Sequence, residues 1–246
     1  MAEAEGGGKG TVRNYFVLDG VDSRNFGVYI SGQGTFSSPA RPYEARPIPG
    51  RYGDILTGGK RLENGVLTYP AFIVRDLESN LRALRNFLLS RSGYVRLTDS
   101  YHPDEYRMVY YGESFEPQVT ERNNEATFDL VFGCKPQRFL LSGETKTVYT
   151  SAGTITNPTR FPARPLIRAY GTGTVGIGTT TITITAADGY TDIDCALMAA
   201  YKGSTNKNAN IQLSTLDYPV LPPGNSGITM GGGVARVEVT PRWWEV

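Results

Sequence analysis

A single histidine limits the chemistry open to this chain. His102 is the only one in 246 residues, so neither a histidine-dependent catalytic triad nor a two-histidine metal site can be assembled. Asp99 and Asp104 beside it carry oxygen donors that suit a metal ion, yet Pro103 and the polar flanks mark an exposed turn. Asp192 and Asp194 stand two apart on a predicted strand and share one face, where paired carboxylates could hold calcium or exchange protons. With Ile193 and Cys195 directed to the core, that carboxylate face is expected to lie at a solvent-facing edge. Glu113 and Glu116 sit among surface-like polar residues, and nothing singles them out.

The segment Gly171-Thr-Gly173-Thr-Val-Gly176 matches the dinucleotide fingerprint GxGxxG, which requires a following helix to hold the pyrophosphate. Thr179–Thr185 after it is β-branched and alternating, so the glycines are expected to form a hairpin turn, and no cofactor is expected. Trp243 and Trp244 offer a sugar-stacking platform in an alternative reading as a carbohydrate-binding module; the competing expectation is that they dock on their own domain. Cys134 and Cys195, far apart in sequence, fit two reduced thiols better than a disulfide scaffold, with a bridge between them as the alternative.

The elements that must carry these residues are mostly strands. Gly at 29, Pro at 15 and Tyr at 15 are the composition of short strands between tight turns. Lys plus Arg total 25 against 24 Asp plus Glu, a net charge of +1, which argues against sequence-specific nucleic acid or an anionic membrane as partner. No run of 18 apolar residues is present, so membrane insertion is not expected. Met1–Gly10 is acidic and then glycine-rich, unlike a signal peptide, and reads as a disordered leader with order beginning near Thr11.

Tyr15–Leu18 and Val28–Ile30 give an opening strand, turn and strand. Leu77, Leu81, Leu84 and Leu88 are spaced for one amphipathic helix over 76–91, with Asp76 as cap, Arg91 in the last turn and Gly93 as stop. Strands follow at Tyr94–Thr98, Arg107–Gly112 and Ala126–Phe132, the last with Phe128, Leu130 and Phe132 on one face and a break at Pro136. A Thr- and Gly-rich series comes after it: Thr154–Thr156, Leu166–Tyr170, Thr180–Thr185, Thr191–Cys195 and the alternating Val237 and Val239. The expected organisation is a leader at 1–10, a β domain at 11–140 and a β-sandwich at 141–246, the final strand pairing with either domain.

One segment belongs to no core. Ser37–Pro49 holds Pro39, Pro42, Pro47 and Pro49, which excludes a helix or central strand and leaves an extended arm or long loop. Ile48–Asp54, IPGRYGD, follows as a polar, glycine-bounded turn that must lie on the surface or against a partner. Pro49, Gly50, Arg51, Tyr52 and Asp54 are the candidate oligomer interface, with Arg51 and Asp54 suited to an ion pair between subunits.

The order of these features resembles the distal tail proteins of long, non-contractile-tailed bacteriophages. Its elements are Phe26-Gly27-Val28, IPGRYGD after the proline-rich arm, the helix LESNLRALRNFLL leading into Gly93-Tyr94-Val95-Arg96-Leu97, TDIDC at Thr191–Cys195, DYPVLPPG at Asp217–Gly224, and the close Pro241-Arg242-Trp243. The resemblance spans about Tyr15 to Trp243. It implies a mainly β protein of two β-sandwich-type domains, the first carrying the helix and a β-hairpin arm, the second similar to galectins or carbohydrate-binding modules. It also implies a non-enzymatic subunit at the distal end of the phage tail, made in the bacterial host cytoplasm. The partners implied are further copies in a hexameric ring around a DNA channel, the tail tube protein, a tail-tip protein and receptor-binding proteins.

Overall fold

Period-two alternation of apolar residues becomes strand after strand in the computed structural model, which describes residues 13–31, 37–59, 61–120 and 124–246. The leader expected over 1–10 lies outside the described residues. Among those described, the chain is mainly β with one α-helix, and it divides between Pro136 and Gln137 into two compact units. No described helix is long and apolar enough to cross a membrane.

The first unit begins with β1 (Phe16–Leu18), β2 (Val21–Asp22) and β3 (Val28–Ile30), followed by β4 (Tyr43–Arg46), β5 (Ile55–Gly58) and β6 (Gly65–Ile73). Then come α1 (Leu77–Leu89), β7 (Val95–Asp99), β8 (Glu105–Tyr111), β9 (Gln118–Val119) and β10 (Ala126–Leu140). The main sheet runs β2-β1-β7-β8-β10-β6-β3, with β9 beside the start of β10. It curls over its own apolar face: the Phe16 ring lies 6.1 Å from Tyr69 and 6.2 Å from Phe132, residues whose strands are not its ladder neighbours. A bridge from Asn14 to Ile30 ties the first strand to the last in the sheet order.

Helix α1 packs on this curled sheet through Leu84 and Leu88, both fully buried, with Leu77, Leu81 and Phe87 at the margin. The leucine spacing therefore reports the buried stripe directly. The expected Asp76 cap is not formed. Asp76 stands in the left-handed region at φ 49 and its side chain makes no capping bond; its carbonyl accepts from Asn80 N–H and Ser79 Oγ instead. Arg91, just past the helix, donates to the Phe87 carbonyl at 3.0 Å and lies over the Phe87 ring.

Pro136 does not end β10 as its type suggests. Pairing with β6 runs from Ala126 opposite Ile73 to Cys134 opposite Gly65, and within the second unit Arg138 and Phe139 pair with Glu245 and Trp244. The proline falls between two ladders, where no partner requires its missing N–H.

The second unit adds β11 (Thr147–Tyr149), β12 (Gly153–Asn157), β13 (Leu166–Tyr170), β14 (Gly173–Ile177), β15 (Thr180–Ile184) and β16 (Tyr190–Asp194). It continues with β17 (Ala199–Lys202), β18 (Thr205–Asn206), β19 (Ile211–Leu213), β20 (Gly224–Gly232), β21 (Arg236–Thr240) and β22 (Trp244–Glu245). One sheet is ordered β11-β21-β13-β16-β17-β18 and the other β12-β20-β14-β15-β19. Ile167, Ile193, Val237 and Val239 of the first sheet share a core with Val175, Ile182, Ile184 and Ile228 of the second, so this unit is a two-sheet sandwich.

Two expectations fail here, for separate reasons. The Gly171–Gly176 run is not the hairpin turn: Gly173 and Gly176 lie inside β14, which sits between β20 and β15, and the turn is at Gly178 and Thr179. A Cβ on Gly173 would stand 2.2 Å from the Gly231 carbonyl oxygen, and one on Gly176 2.2 Å from Thr229 Oγ1. The glycines let β20 approach.

Asp192 and Asp194 are not at a solvent-facing edge either. Strand β16 lies between β13 and β17, and the two residues are only 4% and 2% exposed. Arg168 grips Asp192 through two nitrogens at 2.6 and 2.8 Å, and Arg242 grips Asp194 at 2.8 and 2.8 Å. Alternation correctly put both carboxylates opposite the core; arginine stems then cover that outer face.

Burial by itself would push the Asp194 carboxyl up, but the Arg242 fork and the N–H groups of Leu197 and Ala196 outweigh it and hold the group below its ordinary 3.8. A depressed carboxylate stabilises the fold above its unfolded pKa and loses that contribution as pH falls through the folded value. The sandwich should therefore weaken as acid takes the solution below about pH 4. Asp194→Ala, which strands the Arg242 charge, should lower stability at neutral pH by about 3 kcal/mol, read by urea denaturation; a change under about 0.5 kcal/mol would show the pair to be dispensable.

Candidate assembly surface

Several of the residues that could do chemistry hold structure instead. Asp99 is buried, accepting from the N–H groups of Tyr101 and His102 at 2.9 and 2.8 Å and from the Tyr69 hydroxyl. Burial first, and then the Asp99 charge, pushes the Tyr69 hydroxyl well above its ordinary range, so it serves as a fixed donor. Asp104 is exposed in the next turn. Glu113 is exposed, and Glu116 accepts the Ser114 hydroxyl at 3.0 Å. Among the described residues no group of three or more His, Cys, Asp or Glu gathers as a metal site.

Both cysteines are buried free thiols, and burial pushes Cys195 up to about 12, keeping it protonated and unreactive. Trp243 is 6% exposed in the sandwich core. Trp244 stacks on Phe161 at 4.5 Å between ring centroids and donates its indole N–H to the Pro162 carbonyl. The tryptophan pair is thus docked on its own unit.

Exposure, rather than chemistry, distinguishes the proline-rich arm. Among the described residues, strands β4 and β5 pair only with each other, Tyr43 opposite Gly58 and Arg46 opposite Ile55. Every residue of both strands is exposed. The arm is closed at its base by Gly59 N–H to the Pro42 carbonyl at 2.7 Å and Arg41 Nη1 to the Gly59 carbonyl at 2.7 Å. Strand β4 threads between Pro42 and Pro47, so the prolines flank it without interrupting its ladder.

Ile48–Asp54 forms the tip. The Ile48 carbonyl accepts the Arg51 N–H at 3.2 Å, with Pro49 second and Gly50, at φ 77, third in the turn. That is a type II turn, whose second position favours proline and whose third needs positive φ. Gly53 repeats the requirement at φ 79. Tyr52 projects completely into solvent at 104% exposure, and among the described residues neither Arg51 nor Asp54 has an ion-pair partner. The five candidate interface residues, Pro49, Gly50, Arg51, Tyr52 and Asp54, are thereby brought together on one exposed turn.

The sequence reading missed the stripe behind the tip. Cross-strand partners share a face, so Tyr43, Ala45 and Leu56 line one side of the arm with Gly58, while Glu44, Arg46 and Thr57 line the other with Ile55. Tyr43 and Leu56 are 56% and 62% exposed. A two-stranded hairpin is marginally stable alone and cannot bury such a stripe itself. The period-two signal at Tyr43 and Ala45 was present, obscured by the surrounding prolines.

No family model and no curated protein sequence matches the chain. Its fold does match solved phage proteins. One is the SPP1 Dit (gp 19.1) protein, described as a paradigm of the hub adsorption apparatus in phages infecting Gram-positive bacteria: TM-score 0.70, 18% identity, covering 95% of this chain and 99% of that one. Another is a chain of the phage p2 baseplate in its activated conformation with Sr: TM-score 0.51, 11% identity, covering 93% and 97%. The likeness is to the fold and runs through both units.

An arm with this exposure should be the first part of the isolated chain to meet a protease. Limited trypsin digestion should cut after Arg51, since Arg41 and Arg46 each precede a proline that blocks cleavage, before any site in the strands of the main sheets, as read by intact-mass spectrometry. Initial cleavage elsewhere in the described residues, with the arm untouched, would show the tip to be covered.

Proposed function

We propose that the chain is a structural hub subunit of a phage tail tip, acting by assembly and not by catalysis. The observation that carries this reading is the end-to-end fold likeness to a phage hub protein, 95% of this chain against 99% of that one. In this reading copies join head to tail in a closed hexameric ring, each presenting two different complementary surfaces, around a channel through which DNA passes. The tail tube protein binds one side and a tail-tip protein the other, while the second unit holds receptor-binding proteins. The site of action is the distal end of the tail in the virion, after synthesis in the bacterial host cytoplasm.

The arm supports one of the two ring surfaces. Among the described residues it offers exposed Tyr52 with Arg51 and Asp54 outside any ion pair at the tip, and an apolar stripe left exposed behind it; burying such a stripe is the usual driving force of permanent interfaces. An Arg51 to Asp54 ion pair between copies fixes register more than it adds affinity.

Light scattering across a concentration series, alone and with the tube protein, should give a closed oligomer that electron microscopy resolves as a ring. Arg51→Glu should place like charges across the contact and weaken association about tenfold, while the thermal midpoint of the monomer stays unchanged. A wild-type chain that remains monomeric in both conditions would overturn the hub reading. A variant that assembles like wild type would remove the arm tip from the interface.

A further inference from the structure

The sequence holds a single Asn-Gly pair, Asn64-Gly65, placed where the chain returns from the arm into β6. Glycine at 65 has no conformational or packing cause. Its backbone is outside the positive-φ region, and a Cβ there would meet nothing within 4 Å. Asn64 is exposed. Gly65 is the first residue of β6, at the end of the ladder with β10, where local opening frees a backbone amide most readily. The missing Cβ leaves the Gly65 nitrogen unhindered as a nucleophile toward the side-chain carbonyl carbon of the residue before it.

The leaving group is placed as well. Asn64 Nδ2 lies 2.5 Å from the Tyr94 hydroxyl. Tyr94 is itself held from two sides: its ring meets Tyr110 edge-on with centroids 5.4 Å apart, and Lys135 Nζ lies 4.8 Å from its ring centroid. In the resting amide the nitrogen donates and the hydroxyl accepts. When the side-chain carbon becomes tetrahedral, the nitrogen gains a lone pair and the contact reverses, the hydroxyl now donating. That is the position of a general acid.

We propose that Asn64-Gly65 is a self-modification site at which the chain deamidates, with Tyr94 protonating the departing ammonia. The Gly65 N–H gives its proton to solvent hydroxide as its nitrogen bonds to Asn64 Cγ. The bond from Cγ to Nδ2 then breaks, ammonia leaves with the Tyr94 proton, and the phenolate regains a proton from water. Water adds to either carbonyl of the resulting succinimide and opens it to aspartate or isoaspartate; nothing is oxidised or reduced. Aspartate places a carboxylate beside Tyr94. Isoaspartate adds a methylene to the main chain between Glu63, whose N–H donates to the Ala40 carbonyl at 2.9 Å, and the pairing of Gly65 with Cys134. Either product alters the root of the arm, and the site does not depend on the hub reading.

The test is incubation of the full chain at mildly alkaline pH, followed by trypsin digestion and mass spectrometry of the peptide Leu62–Arg75, with chromatographic separation of the two products and a zero-time control. Asn64 should convert to a mixture of aspartate and isoaspartate ahead of every other asparagine in the described residues. Gly65→Ala, which adds a methyl group in open space, and Asn64→Gln, which lengthens the side chain, should each suppress the conversion. Tyr94→Phe keeps the ring packing and should slow it severalfold, with circular dichroism confirming the fold of each variant. An Asn64 that persists in the folded chain over the period in which the synthetic peptide Leu62–Arg75 converts overturns the site. Conversion in Tyr94→Phe as fast as in wild type overturns the role of the hydroxyl.

Discussion

Much of the second unit closes on the carboxylate of Asp194. It lies at the end of a strand with neighbours on both sides and receives the amides of Ala196 and Leu197 at 2.9 and 3.1 Å, which set the turn into β17. Its oxygens also take both terminal nitrogens of Arg242, a residue held in the left-handed region at φ 59. A non-glycine residue there costs about 1 kcal/mol or more and persists only when its surroundings over-determine it. The two bonds to Asp194 supply that constraint, after which Trp243 turns into the core and Trp244–Glu245 pairs with Arg138 and Phe139. One side chain thus fixes a strand end, a turn and the chain's return to β10.

The neighbouring pair extends the same principle across the sheet. Arg168 lies over the Tyr190 ring while it holds Asp192, and Arg236 lies over Tyr170, whose hydroxyl donates to Glu238. The outer face of this sheet is covered by its own long side chains, with polar groups satisfied locally. A face so fully engaged has little left to offer a ligand.

How much of this was legible in the sequence depends on which physical rule governs each residue. Spacing of Leu77, Leu81, Leu84 and Leu88 gave the helix, and alternation at Phe128, Leu130 and Phe132 gave the long strand, because both patterns record a buried face. Asp192 and Asp194 were assigned to the correct side of their strand and to the wrong environment, since periodicity does not say what lies above a face. Arg168 and Arg242 come from 24 and 48 residues away, beyond any local window. Gly173 and Gly176 read as a turn because glycine usually marks one; their purpose is the close approach of β20, a tertiary fact. On the arm, the exposed IPGRYGD tip was legible because it has nothing to bury, whereas the Tyr43, Ala45 and Leu56 stripe was hidden among prolines and emerges only once the register pairs it.

The type II turn at Pro49 and Gly50 bears on the kinetics of association. Proline at the second position fixes φ, and glycine at the third takes the required positive φ without strain, so the turn has less backbone freedom to give up on meeting a surface. Part of the loss of conformational entropy has therefore already occurred when the arm folds, which eases the alignment of two shapes in an encounter. Prolines, which cannot donate to a strand ladder, here help make the arm a preorganised probe.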